Sequence, residues 1–433
     1  MSGLTDHTLR YQLANELHAR PFPRASAPGR AVYLVLKSPG KASQRDRDAD
    51  RQHLTDLLDR FGAPHPQPGA THYSNQLGQH YLKWESHTEV VTYTVIMEGA
   101  GERPFDPADF DVFPGDWLAQ APGERISSAL VRIEPDANTE SIRERVTEWF
   151  VSESVAVSQV LAEAAVIAGD FRIDPAGHMR FAIFPRTGCG PSRTGRILQR
   201  LAEIETYKAL SMLGFAEARR LSPEISQLDA RLSQLMSDMT DRDGDTEATL
   251  RALLEISTEL EALSAAASFR FAATKAYEAI VEQRIEVLRE SQFNGRQTFR
   301  EFMTRRYDPA MRTVASTETR IKSMADRAMR AGELLRTSVE VTRSAQNQQL
   351  LESMNKRADM QLRLQKTVEG LSVVAISYYA VSLAGYLLYP VADAIDVSRG
   401  LLLAAVTLPV VGLVWLAVRR IRHLVEHQGP GLD

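Results

Sequence analysis

LSVVAISYYAVSLAGYLLY, from Leu371 to Tyr389, and LLLAAVTLPVVGLVWLAV, from Leu401 to Val418, contain no charged residue. At 1.5 Å per residue each helix would run about 27–29 Å, close to the hydrocarbon thickness of a bilayer. Either run alone would pass for the buried helix of a soluble protein. Two in tandem, with the flanking charges stopping abruptly, read as a transmembrane hairpin. Tyr386, Tyr389 and Trp415 lie toward the run ends, where amphipathic rings favour the interface. Arg363 and Lys366 precede the first run, and Arg419, Arg420 and Arg422 follow the second. The connecting PVADAIDVSRG carries only Arg399 against Asp393 and Asp396. The positive-inside rule then puts both termini in the cytoplasm and the short loop outside. The N-terminus shows no basic segment followed by an apolar one, so nothing in it directs export.

The rest of the chain is compositionally ordinary. Its 433 residues give a prior of about three units at roughly 150 residues each. Apolar residues at 44% and charged residues at 24% exclude a wholly disordered chain. Fifty-one basic against 55 acidic residues leave a net charge of −4, without the global basicity expected of a nucleic-acid binder. Cys189 is the single cysteine, which excludes an internal disulfide framework and a cysteine-built zinc site. The mean hydropathy of −0.25 would suit a soluble protein only because the apolar runs are averaged away.

Residues 1–190 read as a mixed α/β cytoplasmic domain. Helices are expected at Thr8–Leu17, Arg45–Phe61 and Thr139–Phe150, the last with Thr139 as N-cap. Ala31–Lys37, Val90–Met97 and Ser127–Ile133 are β-rich, and the Asp174–Gly177 turn joins FRI to MRFAIF as a hairpin. From Arg193 the β signal disappears. Ile225, Leu228, Leu232, Leu235 and Met239 form a heptad seam, which resumes after Asp241–Asp245 with Leu253, Ile256, Leu260, Leu263 and Ala267. Turns are expected at Asn294-Gly295 and Asp308-Pro309. Residues 191–308 therefore make an antiparallel helical region and 309–370 a long stalk helix. Spans follow at 371–389 and 401–418, with an outward loop at 390–400 and a basic cytoplasmic tail at 419–433. The stalk seam starts apolar, with Ile321, Met324, Ala328, Ala331 and Leu335. It turns polar at Ser338, Thr342, Ala345 and Gln349. A polar seam suits helices around water or a symmetry axis; a solvated face near the membrane is the plainer reading.

Four segments carry a resemblance: NELHARPF (Asn15–Phe22), WESHTEVVTYT (Trp84–Thr94), GPSRTGRILQRLAEIETYKALSMLG (Gly190–Gly214) and LESMNKRADMQLRLQKTVEGLSVVAISYY leading into the first span. The chain resembles a bacterial family of membrane-anchored proteins of uncharacterised function, mostly proteobacterial, over nearly its whole length. This resemblance implies anchoring in the bacterial inner membrane and supplies no activity. The order of elements is also similar to that of CorA-type divalent-cation channels, homopentamers whose long helices line the pore. Their Gly-Met-Asn signature is missing, and Gly385-Tyr-Leu-Leu-Tyr-Pro390 stands in that region.

Ser372, Ala375, Tyr379, Ser382, Tyr386 and Tyr389 recur at helical spacing and form one hydroxyl-bearing stripe, suited to helix packing or to a wet path. Asp393 and Asp396 would repeat as cation-concentrating rings in an oligomer. In Glu85-x-His87-x-Glu89 the three side chains would share one strand face and could hold a divalent cation, the one cofactor the pattern leaves room for. Around Cys189, PRTGCGPSRTGR lacks the cysteine–arginine spacing of a phosphatase loop and the Lys-Ser/Thr of a P-loop. A glycine-rich turn with Arg186, Arg193, Arg196 and Arg200 remains, able to take an anion. No catalytic triad, carboxylate dyad or phosphate loop appears, and no enzyme is expected. The expected protein is an oligomeric inner-membrane channel, transporter or sensor for a cation. The alternative is a non-conducting scaffold that binds a cytoplasmic protein partner or phosphate-bearing ligand.

Overall fold

The structure is a computed structural model that describes residues 4–11, 13, 14, 22–40, 45–239, 246–394 and 398–426. Residues Met1–Gly332 form one compact unit and Glu333–Asp433 a second.

The first unit is built around β1 (Gly29–Lys37). Its sequence is apolar in both registers, so it can only be satisfied with cover on both faces. Ala31, Tyr33 and Val35 enter one core, while Val32, Leu34 and Leu36 enter the other. β2 (His72–Leu77), β3 (His80–Ser86) and β4 (Val90–Glu98) lie to one side of β1. To the other lie β5 (Glu124–Ile133), β8 (Met179–Pro185), β7 (Ala165–Gly169), β6 (Ala156–Val160) and β9 (Ser291–Gln292), in that order. The β5–β8 pair is parallel and every other pair antiparallel.

One face is covered by α1 (Arg47–Arg60), α2 (Gly115–Ala119) and α3 (Thr139–Trp149). Asp46 caps α1 by accepting from the Asp48 and Ala49 amides; Leu54, Leu57 and Leu58 are buried, and Gly62 at φ +61° leads the chain out. The cap of α3 is Asn138, whose side chain takes the Glu140 and Ser141 amides, so Thr139 is the first helical residue rather than the cap. The hairpin also differs from expectation. Its first arm is Ala165–Gly169, whereas Phe171 has φ +53° and FRI lies in the connection. The small residues of AVIAG conceal that strand, and FRI has the better β propensity. Of the expected N-terminal helix, Arg10, Tyr11, Leu13 and Ala14 are helical, and 15–17 lie outside the described residues.

The other face is covered by α4 (Pro191–Asp238), α5 (Thr246–Leu288), α6 (Phe299–Arg306) and the start of α7 (Asp308–Ala394). Residue 190 therefore marks a change of element, and the compact unit continues through the helices. Ile225, Leu228, Leu232, Leu253, Ile256, Leu260, Leu263 and Ala267 are buried along the seam; Leu235 and Met239 are half-buried. Ile321, Met324, Ala328 and Ala331 of α7 are buried too, with Arg320 and Arg327 reaching Asp229 of α4 at 2.9 and 3.4 Å. Asp241–Asp245 lie outside the described residues. Asp308-Pro309 is the first turn of α7, where proline's missing N–H costs nothing.

α7 is one helix of 87 residues, and the boundary between the units falls within it. In the second unit it is followed by α8 (Arg399–Glu426). Asp308–Pro390 and Gly400–Ile421 are long and apolar enough to cross a membrane. Pro390 does not end α7, which continues to Ala394 and shortens the expected 390–400 loop. A proline removes one N–H bond and need not unwind the turn after it. Ser338, Thr342, Ala345 and Gln349 are exposed.

Two glycines in helices give a contrast of sign. A Cβ on Gly195 would lie 1.8 Å from the Pro23 carbonyl oxygen, whereas nothing lies within 4 Å of one on Gly332. Gly195→Ala should destabilise by about 2–3 kcal/mol despite alanine's better helix propensity. Gly332→Ala should stabilise by about 0.5–1 kcal/mol, both read from chemical denaturation.

His53 supplies a pH test. It stacks on Trp117 at 3.9 Å, its Nε2–H donates to the Trp117 carbonyl at 3.0 Å, and Nδ1 accepts from the Tyr93 hydroxyl at 3.0 Å. Burial lowers its pKa from the usual 6.5. The unfolded chain therefore takes up the proton first, and this contribution to stability falls as pH drops below 6.5. His53→Gln should lose less stability than the parent between pH 7 and 5.5; an identical loss would show that His53 is not a source of acid sensitivity.

Candidate functional site

A belt of charged and hydroxyl side chains interrupts the apolar face between the sheet and helices α4 and α5. Residues two apart on a strand share a face, which sets Lys83 and Glu85 of β3 side by side at 3.0 Å. The Lys83 amine also donates to Gln199 of α4 at 3.0 Å. From β1 the Tyr33 hydroxyl meets the Thr206 hydroxyl, which itself donates to the Ala202 carbonyl at 2.8 Å; Tyr33 is therefore the donor. Glu203 of α4 takes Arg200 at 2.9 Å and Arg284 of α5. Glu205, buried, takes Lys208 at 2.6 Å and the Ser127 hydroxyl at 3.0 Å. Glu89 takes both terminal nitrogens of Arg270, at 3.1 and 2.6 Å, and the Tyr277 hydroxyl at 2.8 Å.

Burial pushes the Tyr33 and Tyr277 phenols up, and the Glu89 carboxylate adds to the rise at Tyr277. Neither supplies a phenolate near neutrality. A cavity of about 20 Å³ between Lys83, Glu85, His87, Glu203, Thr206 and Tyr207 has room for one water. WESHTEVVTYT and the helix of GPSRTGRILQRLAEIETYKALSMLG meet in this belt.

The expected Glu85–His87–Glu89 cation site is not formed. β3 ends at Ser86, so His87 and Glu89 occupy the turn into β4 rather than one strand face with Glu85. Glu85 is paired with Lys83 and Glu89 with Arg270, while His87 Nδ1 lies 3.4 Å from the Tyr207 hydroxyl and Nε2 3.4 Å from that of Thr92. Among the described residues no group of three or more His, Cys, Asp or Glu side chains is placed to hold a metal. Arg270, Arg284 and Tyr277 carry no motif, and their partners lie far away along the chain. Their only signal is polar character on a helix that otherwise buries an apolar stripe.

The four arginines of the expected anion site do not converge. Arg186 lies 3.6 Å from Glu163. Arg200 is held by Glu203, with its guanidinium 5.1 Å over the Phe22 ring. Arg193 and Arg196 are exposed in the first turns of α4. Beside them an open groove of about 480 Å³ is lined by Ser26, Asp136, Arg186, Thr187, Cys189 and Thr194, among others. The Cys189 thiol is half-buried, 3.7 Å from the Thr194 hydroxyl.

In the second unit Ser377 and Gly385 are buried, and a Cβ on Gly385 would lie 3.5 Å from Leu403 of α8. Tyr379 and Tyr386 of the hydroxyl stripe lie on a different side of α7, whereas Ser372 lines a groove shared with Val418 and Ile421 of α8. Ser372, Tyr379 and Tyr386 are exposed, and Ser382 and Tyr389 half-buried. Packing against α8 thus does not engage Tyr379 or Tyr386, which remain open. Asp393 falls in the last turn of α7, and Asp396 lies outside the described residues.

A family model described as "Protein of unknown function (DUF3422)" matches residues 5–425, nearly the whole chain. Neither a curated protein nor a solved structure matches it.

The belt predicts which ion pairs matter. Glu89→Ala would leave the Arg270 guanidinium half-buried without its carboxylate, at a cost of about 3 kcal/mol in denaturation experiments. Arg231→Ala, breaking the exposed pair with Glu259, should cost below about 1 kcal/mol.

Proposed function

Given that the chain belongs to the family of proteins of unknown function DUF3422, we propose from its own residues that it is an integral inner-membrane protein whose first apolar helix assembles with other copies around an axis and conducts or senses a cation. The observation that carries this reading is the division of labour on α7: Ser377 and Gly385 turn into the hairpin, leaving Tyr379 and Tyr386 open on another side. Hydrocarbon would offer the exposed Tyr379 and Tyr386 hydroxyls no partner, so this side of the helix is better satisfied by a neighbouring copy or by a wet path.

Arg363 and Lys366 before the first span, and Arg419 and Arg420 after the second, support a hairpin with both termini in the cytoplasm. Asp393 and Asp396 would then stand at the outer end as acidic rings. The likeness to CorA-type channels remains one of element order, and the missing Gly-Met-Asn leaves the transported ion unassigned. The α/β unit is read as a sensing or binding unit, without a catalytic step.

One observation favours the second reading, a non-conducting scaffold for a protein partner or phosphate-bearing ligand. The carboxylates expected to bind a cation are already held by Lys83 and Arg270, while Arg193 and Arg196 are exposed beside an open groove.

The experiment is purification in detergent followed by mass measurement and divalent-cation flux in liposomes. The channel reading predicts a ring of several 48.2 kDa chains, and a flux reduced about tenfold or more by Ser382→Trp. A monomer or dimer without flux would overturn it. Loss of partner capture after Arg193→Ala with Arg196→Ala, flux being absent throughout, would support the scaffold.

A further inference from the structure

The bend that joins α5 to α6 contains a carboxyl group with one buried oxygen that has no hydrogen-bond partner. Glu290 follows the last residues of α5, where Arg289 has φ +49°, and precedes the two-residue strand β9. Thr298 opens α6 eight residues later as its N-cap.

The first three amides of any helix lack partners within it. In α6 each is taken by a different side chain. Phe299 N–H donates to the Ser158 hydroxyl at 3.1 Å, and Glu301 N–H to the Thr298 hydroxyl at 3.1 Å. The one between them, Arg300 N–H, donates to Oε2 of Glu290 at 3.0 Å. The other carboxyl oxygen, Oε1, is buried and has no hydrogen-bond partner. A bare carboxylate oxygen in that position is costly, and a neutral carboxyl is much less so.

The surroundings do little to offset this. The charged groups acting on Glu290 are Arg300 and Glu301, adjacent and opposite in sign, on the first turn of α6; the Arg300 amide and the Thr298 hydroxyl also favour the charged carboxyl, but less than burial opposes it. β9 and its partner strand β6, SQ and AVSQV, contain no ionisable residue. Glu286 and Arg289 are the charged residues nearest to it on its own segment. Burial dominates and raises the carboxyl from its usual 4.5 to about 7.

We propose that Glu290 is a proton-responsive latch on the α5–α6 bend: protonated, it stays inside and caps the Arg300 amide; deprotonated, it turns out to water and the first turn of α6 loosens. The direction follows from the raised acid. The neutral form belongs to the packed state, so the latch is fully held below pH 4.5 and is lost as pH rises through about 7. It is independent of the membrane reading, because every group involved lies in the first unit.

The test is hydrogen exchange on the full chain in detergent at pH 6, 7 and 8, with rates corrected for the intrinsic pH dependence of exchange. Protection of the Arg300 amide should fall about tenfold between pH 6 and 8, following the protonated fraction. Glu290→Gln, which retains an acceptor without a charge, should keep protection flat. Glu301→Ala breaks the capping box, and Glu301, held low by the Thr298 amide, does not titrate in this range. That variant should lower protection at every pH and keep the step. Equal protection of the parent at pH 6 and 8, or a step that survives in Glu290→Gln, would overturn the proposal; the first outcome decides even where a variant fails to fold.

Discussion

Large apolar side chains on the surface of two helices are the constraint that everything else accommodates. Leu371, Val374, Leu387, Leu408 and Leu413 are each about two-thirds or more exposed, and together they form a surface that water does not tolerate on a helical pair. Burying them costs nothing if the surroundings are hydrocarbon, where the helices already satisfy their own backbone amides. On the membrane reading proposed for this chain, the first unit becomes a tethered one, and the polar part of α7 has the composition of a segment standing in water.

The first unit meets a different demand. β1 is apolar on both faces, so helices must cover both, and the two covers differ in character. One is aromatic, with Trp117, Phe113 and Tyr93 in contact. The other contains a belt in which Glu85, Glu89, Glu203 and Glu205 each meet a cation. Buried pairs of this kind add little net stability beyond an apolar packing, but breaking one leaves a stranded charge. The belt therefore fixes how α4 and α5 seat on the sheet. Gly195 and Gly214 do the same by contact, since a Cβ would meet the Pro23 carbonyl or the Thr274 side chain.

Much of this was legible in the sequence. The strands at Ala31–Lys37 and Val90–Met97 follow from their runs of β-branched and aromatic residues, and the seam from Ile225 to Ala267 follows from its helical period, because period and burial have the same geometric cause. What was missed is non-local. β9 is two residues long and exists only because β6 offers an edge. Glu89 meets Arg270 across 181 positions, which no local pattern encodes. The Glu85–His87–Glu89 expectation failed for a local reason: it assumed that a strand continued past Ser86, where the chain instead turns. Of the arginines around Cys189, Arg186 and Arg200 turn to Glu163 and Glu203 while Arg193 and Arg196 are exposed, so a cluster in sequence does not converge at this strand-to-helix junction.

The side on which the first unit stands is the claim that most directly tests this account, and the chain carries its own probe, since Cys189 is the single cysteine and is half-buried. The measurement is labelling with a membrane-impermeant maleimide in intact spheroplasts, compared with the same cells after permeabilisation. The account predicts no labelling before permeabilisation and clear labelling after it. Labelling of Cys189 from outside intact spheroplasts would contradict it.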